Sequence, residues 1–435
     1  MSHHTAKDSY KSLNERLNRF PMGAPPSETL YKILELLFSE KEAGLVAQLP
    51  LKAFTVKTAA KIWRVSELEA AKILDELASR AILLDMDYKG EHKYVLPPPM
   101  AGFFEFSMMR TRGDVDQALL SELFYQYLNV EEDFVKKLFL GTETRFIKTF
   151  VNESVLAGDN LVQILDYDRA SHVIKTAEHI GISTCYCRHK KHHLGTACDA
   201  PMDICMTFGH TAASLIKHDY ARKVDVSECL DLLQLAYSEN LVQCGENVQE
   251  GVNFICNCCG CCCEALVAAK KFGMMHPVET TGFLPDVQSS CTGCGLCVKA
   301  CPIDAIKMTQ DKVEDSVYNL TDSGNDKRHN QFAKVDESIC LGCGVCVRNC
   351  PRNHIKLKSR EKEIITPVNS AHRIVMMAIE KGQLQDLIFD NQAFHSHRAM
   401  AAVLSSILKL SPVHRAMANK QMQSKYLERL IRMMT

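Results

Sequence analysis

Apolar positions in the first hundred residues recur at helical spacing, in short blocks divided by turn signals. After a polar lead over 1–26 that ends in Pro21, Pro25 and Pro26, Ser27 reads as an N-cap. Leu30, Ile33, Leu34 and Leu37 then form one apolar stripe. Thr55 to Trp63 predicts a short helix and Arg64–Val65 a turn. Ser66 with Glu69 predicts a capping box, opening a helix that buries Ala71, Leu74, Leu77 and Ala78. From Ile82 to Leu96 the pattern becomes strand-like, and Lys89–Gly90 at its middle predicts a β-hairpin. Residues 101–180 return to helical periodicity, at Leu119, Leu120, Leu123, Phe124, Tyr127 and Leu128, then at Phe134, Val135 and Leu138. Phe103, Phe104, Phe106, Met108 and Met109 read as core packing rather than as a cofactor wall. Beyond residue 358, Ile364 to Thr366 predicts a short strand stopped by Pro367. Ala371 to Lys381 and Arg398 to Leu410 predict helices. Lys420 to Met434 predicts a basic amphipathic end, suited equally to a surface or to subunit packing. His395, His397 and Arg398 read as an exposed basic patch.

The helix–turn–helix followed by a hairpin resembles a winged-helix domain. That resemblance implies either DNA binding or protein docking, and charge separates the two. The would-be recognition helix carries Glu67, Glu69, Asp75 and Glu76 against Lys72 and Arg80. A helix entering the major groove must neutralise phosphates with Lys and Arg. Docking is therefore the expectation.

With 435 residues the chain is long enough for roughly three domains of about 150 residues each. Hydrophobic residues at 46% and charged residues at 24% are ordinary for a globular protein with a sizeable core. A net charge of −1 gives no electrostatic case for nucleic acid or an anionic membrane as partner. Met1 to Tyr10 is polar and unlike a signal peptide, and no run of roughly 18 apolar residues suggests a membrane span. A cytoplasmic protein is expected. Cysteine changes the picture: all 20 lie between Cys185 and Cys350. Without a secretory leader, thiolate metal ligation explains them better than disulfides, and predicts an oxygen-sensitive protein suited to an anaerobe.

Cys291-x2-Cys294-x2-Cys297-x3-Cys301-Pro302 is followed by Cys340-x2-Cys343-x2-Cys346-x3-Cys350-Pro351. In such a run three cysteines wrap one cubane and the fourth ligates the other. Cys291, Cys294, Cys297 and Cys350 are thus expected on one [4Fe–4S] cluster, and Cys340, Cys343, Cys346 and Cys301 on the second. Gly293, Gly295, Gly342 and Gly344 allow tight turns that aim N–H groups at sulfur. The segment resembles a two-cluster bacterial-type ferredoxin domain, which implies a pseudo-twofold fold of short antiparallel strands and helices. A polar insertion from Lys307 to Lys334, containing Asp322 to Asp326, lengthens one loop. Structural zinc leaves the repeated Cys-Pro closure unexplained.

A second region holds Cys185-x-Cys187-x10-Cys198-x6-Cys205, the ligand count of a third [4Fe–4S] cluster or of a structural zinc site. Arg188, His189, Lys190, Lys191, His192 and His193 follow at once. They read either as cations that raise a cluster's potential or as a solvated loop. Further on stand Cys256, Cys258, Cys259, Cys261, Cys262 and Cys263. Neighbouring side chains in extended backbone face opposite ways and a cubane has four corners, so these six are expected to divide between centres or stay partly free. Cys258–Cys259–Gly260 also resembles the Cys-Cys-Gly signature of heterodisulfide-reductase-like subunits, which implies an unusual non-cubane cluster. That family uses further cysteines around the pair; Cys229 lies upstream, but the downstream Cys291 and Cys294 belong to the ferredoxin motif. Cys229 and Cys244 read as lone buried thiols.

No dinucleotide glycine fingerprint, P-loop or nucleophile elbow is present, so no catalytic residue is named. The expectation is a multidomain, mainly helical α+β protein with an embedded ferredoxin-like 2[4Fe–4S] domain. Its divisions are a helical lead and winged-helix-like domain over 1–100 and a helical linker over 101–180. A Cys-rich third metal-centre domain over 181–285 precedes the ferredoxin-like domain over 286–358 and a C-terminal helical tail over 359–435. Its expected role is iron–sulfur electron transfer, alone or as a subunit of an anaerobic oxidoreductase, with a redox protein or oxidoreductase subunits as partners. A redox-responsive regulator that reads cluster state through the winged helix is the alternative, and a reductase with its centre in 185–263 is a third possibility.

Overall fold

The computed structural model describes residues 2–156, 164–310, 331–361, 365–390 and 395–408. The N-terminal polar lead is a helix, Ser2–Asn18. Its apolar positions are sparse, but Tyr10, Leu13 and Leu17 fall on one face and are buried. Asn14 and Arg16 on that face bond the carbonyls of Ala24 and Pro50, so polar residues sit inside without loss. Helices Glu28–Leu37 and Val56–Trp63 follow as the pattern predicts, with Ser27 and Thr55 as N-caps. Ser66 accepts from the Glu69 amide at the start of helix Glu67–Ser79, which buries Ala70 in full where Ala71 was expected. The reciprocal capping box occurs earlier, at Ser39 and Glu42.

Strands β1 (Leu84–Tyr88) and β2 (Glu91–Val95) form the hairpin, with Tyr88 opposite Glu91. Lys89 and Gly90 both have positive φ, 52° and 81°, as a two-residue turn between twisted strands requires. The hairpin packs against the rest of the chain through Asp85, buried in β1. Ser214 donates to it at 2.7 Å and His218 faces it at 3.1 Å, with Lys217 paired to its other oxygen. Burial alone would raise this carboxyl, but the bonds from His218, Lys217 and Ser214 hold it well below the usual carboxylate range.

Helices Gln117–Tyr125 and Asp133–Phe139 match the periodicity of 101–140, and then the chain enters a sheet. Strands β3 (Ile147–Thr149), β4 (Ile180–Thr184), β5 (Asp203–Phe208), β6 (Arg222–Lys223), β7 (Val242–Glu246) and β8 (Phe254–Cys258) form one six-stranded antiparallel sheet in the order β3-β7-β8-β5-β4-β6. β3 comes from the stretch expected to be a helical linker, and β4 runs across the boundary placed at 180/181. Three residues of β3 are too few for their alternation to stand out from a helical background. The main core joins N-terminal helix residues such as Leu30 and Leu74 to Phe104, Phe124 and the thiol-bearing Cys258 and Cys263.

The ferredoxin-like segment pairs β9 (Phe283–Val287) with β12 (Ile355–Ser359), and β10 (Ile306–Thr309) with β11 (Phe332–Val335). The ends of the expected insertion thus form a ribbon, while its 311–330 lies outside the described residues. Helix Ser370–Glu380 docks on the sheet by a buried pair, Arg373 Nη2 to Glu246 Oε1 at 2.7 Å. Residues 365 and 366 are not in a strand, and Ile364 lies outside the described residues. Helix His395–Leu408 covers most of the stretch predicted from Arg398, and Lys420 to Met434 also lies outside them. In the expected basic patch, Arg398 is exposed and His397 stands edge-on to Phe389. The whole is a mixed helix-and-sheet, α+β protein. Among the described residues no helix is long and apolar enough to cross a membrane.

Asp85→Asn leaves Lys217 and His218 without their buried partner and is expected to cost about 2 kcal/mol at pH 7, read as a lower urea midpoint. Because the folded carboxyl is depressed, its stabilisation is complete above the unfolded pKa of about 3.9 and is lost as pH falls toward the folded value. Wild type and variant therefore converge in acid.

Candidate metal centres

All 20 cysteines are free thiols. In the ferredoxin-like segment, Cys301, Cys340, Cys343 and Cys346 line one small cavity, closed by Pro302, Ile303 and Leu341. Those are the four expected on the second cluster. Cys291, Cys294 and Cys297 stand together at the other end, close enough that charge on Cys291 and Cys294 raises the Cys297 thiol after burial has done so. Cys350 packs into the same small core as Cys297 and Cys291. The two halves repeat one bond: the Ala305 amide donates to Cys301 Sγ, and the His354 amide to Cys350 Sγ, each at 3.2 Å. Gly342 donates to Cys340 Sγ at 3.4 Å. Such amides stabilise thiolates and suit sulfur bound to a cluster. Burial pushes Cys340 up to about 11 and Cys343 up to about 12, so these thiols need metal to hold them as thiolates at neutral pH.

In the second region the register of the sheet does the gathering. Cys244 on β7 lies opposite Cys256 on β8, and Met206, next to Cys205 on β5, lies opposite Ile255. Side chains alternate along a strand, so Cys256 and Cys258 share a face while Asn257 takes the other. Asn257 there bonds the Ile204 carbonyl at 2.8 Å. Cys185 and Cys263 reach the thiol face as the N-caps of helices Tyr186–His193 and Glu264–Phe272, with Cys187 as the second residue of the first helix. Thiol contacts run from Cys187 through Cys185, Cys205, Cys256 and Cys258 to Cys263, which returns to Cys187. Cys263 and Cys258 are 3.2 Å apart. Cys244, expected to be a lone thiol, joins this ring at Cys258. Cys229 is buried in a separate core, where burial pushes it up to about 12.

Cys198, Cys259, Cys261 and Cys262 form a second, outer set, with all four Sγ atoms within 4.8 Å of one another. The structure therefore parts Cys198 from Cys185, Cys187 and Cys205, with which its spacing grouped it. Sequence distance misleads because the turn after β8 brings Cys259 back to the Cys198 loop. Measured pairs are 3.5 Å for Cys198–Cys259, 3.6 Å for Cys261–Cys262 and 3.9 Å for Cys262–Cys198. Metal–sulfur bonds of about 2.3 Å put tetrahedral sulfurs about 3.8 Å apart. The outer set has the dimensions for a single ion.

Between ring and outer set lies Arg188, fully buried, its guanidinium facing Cys185, Cys205 and Cys259. The hydrogen bond from Cys262, aided by Arg188, pulls the Cys259 thiol down to about 4. Cys185 is likewise lowered by bonds from Cys187 and Cys205. Arg188, His189 and Lys190 are all buried in a helix, so the cationic run is not a solvated loop. Lys190 is matched by Glu264 and by Asn129 at 2.9 Å.

The two regions meet at Gly260. A Cβ there would lie 2.2 Å from the Pro302 carbonyl oxygen, next to Cys301. On the other side Cys244 feels the charge of Cys343. Sequence reasoning also missed half-buried Glu105 and buried Glu264, acids whose positions no local pattern marks.

Gly342→Ala would place Cβ 2.2 Å from both the Phe283 carbonyl oxygen and Thr281 Oγ1 at a φ of +73°. Bound iron is expected to fall by about four per chain. Gly295→Ala, with φ +74° but nothing within 4 Å, should keep its iron and lose only about 1 kcal/mol.

Residues 290–354, which include all eight cysteines of the repeated motif, match the family described as 4Fe-4S dicluster domain. No curated protein and no solved structure matches the chain. The chain thus contains an iron–sulfur, ferredoxin-like domain.

Proposed function

We propose that the protein is an iron–sulfur electron-transfer protein, in which two [4Fe–4S] clusters of the ferredoxin-like segment relay electrons to or from a further centre in residues 185–263. The contact of Gly260 with Pro302 carries this reading. It sets the loop that bears Cys259 and Cys261 directly against the backbone that bears Cys301. Cys244 beside Cys343 gives a second close approach to the same inner set. At the far end Cys294 and Leu296 are exposed, so the outer cluster of Cys291, Cys294, Cys297 and Cys350 is the one a redox partner reaches. Electrons would pass from that cluster to the inner one of Cys301, Cys340, Cys343 and Cys346, and from there to the thiol ring. The clusters supply one-electron steps; the chain spaces them and tunes them with amides and Arg188.

In this reading four thiols of the ring hold a third [4Fe–4S] cluster, and Cys198, Cys259, Cys261 and Cys262 hold one tetrahedral ion. The winged-helix-like region serves docking. Its hairpin is tied down by Asp85, and helix Glu67–Ser79 shows an acidic face with Leu68 84% exposed, which disfavours DNA. A partner redox protein or oxidoreductase subunits, and a cytoplasmic location, accompany this proposal.

Anaerobic iron and sulfide quantitation with EPR tests it. The expected result is about twelve iron and twelve sulfide per chain, with one further ion unmatched by sulfide. About eight iron, with no other metal, would remove the further centre. Gly260→Ala, whose Cβ would force the Cys259–Cys261 loop away from Pro302, is expected to slow re-equilibration between the ferredoxin signals and the additional signal, and samples are compared at equal iron content so that cluster loss is told apart.

A further inference from the structure

Helix Tyr186–His193 starts at the thiol ring, but its later part carries histidines that none of the centres above uses. His189 and His193 stand four residues apart, the spacing by which a helix offers two imidazoles to one zinc ion. Their Nε2 atoms face each other at 3.2 Å. The His189 ring is buried, and its Nδ1 meets the Met108 carbonyl at 2.7 Å. A carbonyl only accepts, so Nδ1 carries the hydrogen, and Nε2 of the neutral ring turns its lone pair toward His193. A backbone carbonyl behind the ring is what fixes the tautomer and orientation of a metal-binding imidazole.

The plainest alternative is a single hydrogen bond from His193 Nε2–H to His189 Nε2, and two features go beyond it. The ring centres are 4.9 Å apart, too close for two rings joined end to end at that N···N distance, so the rings meet at an angle. An ion set in that angle, about 2.0–2.1 Å from each nitrogen in tetrahedral geometry, would hold the nitrogens about 3.3 Å apart, close to the distance seen.

The surroundings also suit a cation. The pair sits at the C-terminal end of its helix, where free carbonyls carry negative partial charge. Helix Gln117–Tyr125 packs alongside and brings its N-cap Asp116 toward His193. Lys190 is neutralised by Glu264, and Lys191 is turned onto the Tyr125 ring at 4.7 Å. Burial, then neighbouring His189 and His192, hold the His193 ring below the usual imidazole range, with Asp116 opposing. His193 is exposed, which gives an ion a route in from solvent.

We propose that His189 and His193 bind one exchangeable divalent transition ion of the zinc type, with solvent completing its coordination. Imidazole suits such ions, and two imidazoles against the four thiolates of the outer set make this the weaker, exchangeable site. It uses no thiol, so it stands or falls independently of the electron-transfer reading.

The test uses anaerobically purified holoprotein, dialysed free of loose metal and then equilibrated with Zn²⁺, with zinc and iron counted in the same samples. His193→Gln removes the imidazole, while its side-chain amide can still donate to His189 Nε2. At equal free zinc the variant is expected to bind one zinc fewer per chain than wild type, with the same iron and the same urea midpoint. In wild type, zinc should lower diethyl pyrocarbonate labelling of His193 at least about fivefold and leave exposed His210 reactive, read by peptide mass spectrometry. Equal zinc uptake by wild type and variant, or labelling of His193 that zinc does not change, would each overturn the proposal. An iron count of about eight with this zinc difference intact would remove the third cluster and leave the histidine site standing.

Discussion

Pairing of β7 with β8, Cys244 opposite Cys256, is the constraint on which the thiol architecture depends. A slip of one residue would turn Cys256 and Cys258 to the opposite face of the sheet and bring Asn257 into the ring. The register is held from both sides, because β8 also pairs with β5 through Met206 and Ile255. Asn257 adds specificity: its amide spans to Ile204, and its carbonyl accepts from Arg188 at 3.1 Å. Backbone pairing thus places four thiols, those of Cys205, Cys244, Cys256 and Cys258, before any metal is considered.

Crowding and burial raise most of these thiols, Cys187, Cys205, Cys256, Cys258 and Cys263 among them, so holding them as thiolates requires positive charge. Arg188 provides the one guanidinium at their centre, and the starts of helices Tyr186–His193 and Glu264–Phe272 point their free amides toward Cys185, Cys187 and Cys263. Lys190 contributes no net charge to the ring because Glu264 neutralises it. The potential is therefore local to the seam between the ring and the outer set, where Cys185 and Cys259 are the lowered thiols.

The same seam joins the two cysteine-rich regions. Gly260 has no side chain because Pro302 occupies the place where one would be, and the inner set of the ferredoxin-like segment lies immediately behind. The hairpin, tied by Asp85, and helix Ser370–Glu380, tied by Arg373, both line the cavity on the thiol face of the sheet.

Local patterns along the chain sufficed for the hairpin at Lys89–Gly90, the helices capped by Ser27 and Thr55, and the repeated motif from Cys291 to Cys350. Each of these is a short-range code in which capping, turn chemistry or ligand spacing acts within a few residues. The buried face of helix Ser2–Asn18 was not legible, because polar Asn14 and Arg16 on it bond to carbonyls elsewhere in the chain. Tertiary structure alone decided which thiols meet. Cys198 leaves its sequence neighbours for Cys259, and Cys244 joins Cys258. Strand register, helix placement and enclosure are long-range properties, and no spacing of residues along a chain encodes them directly.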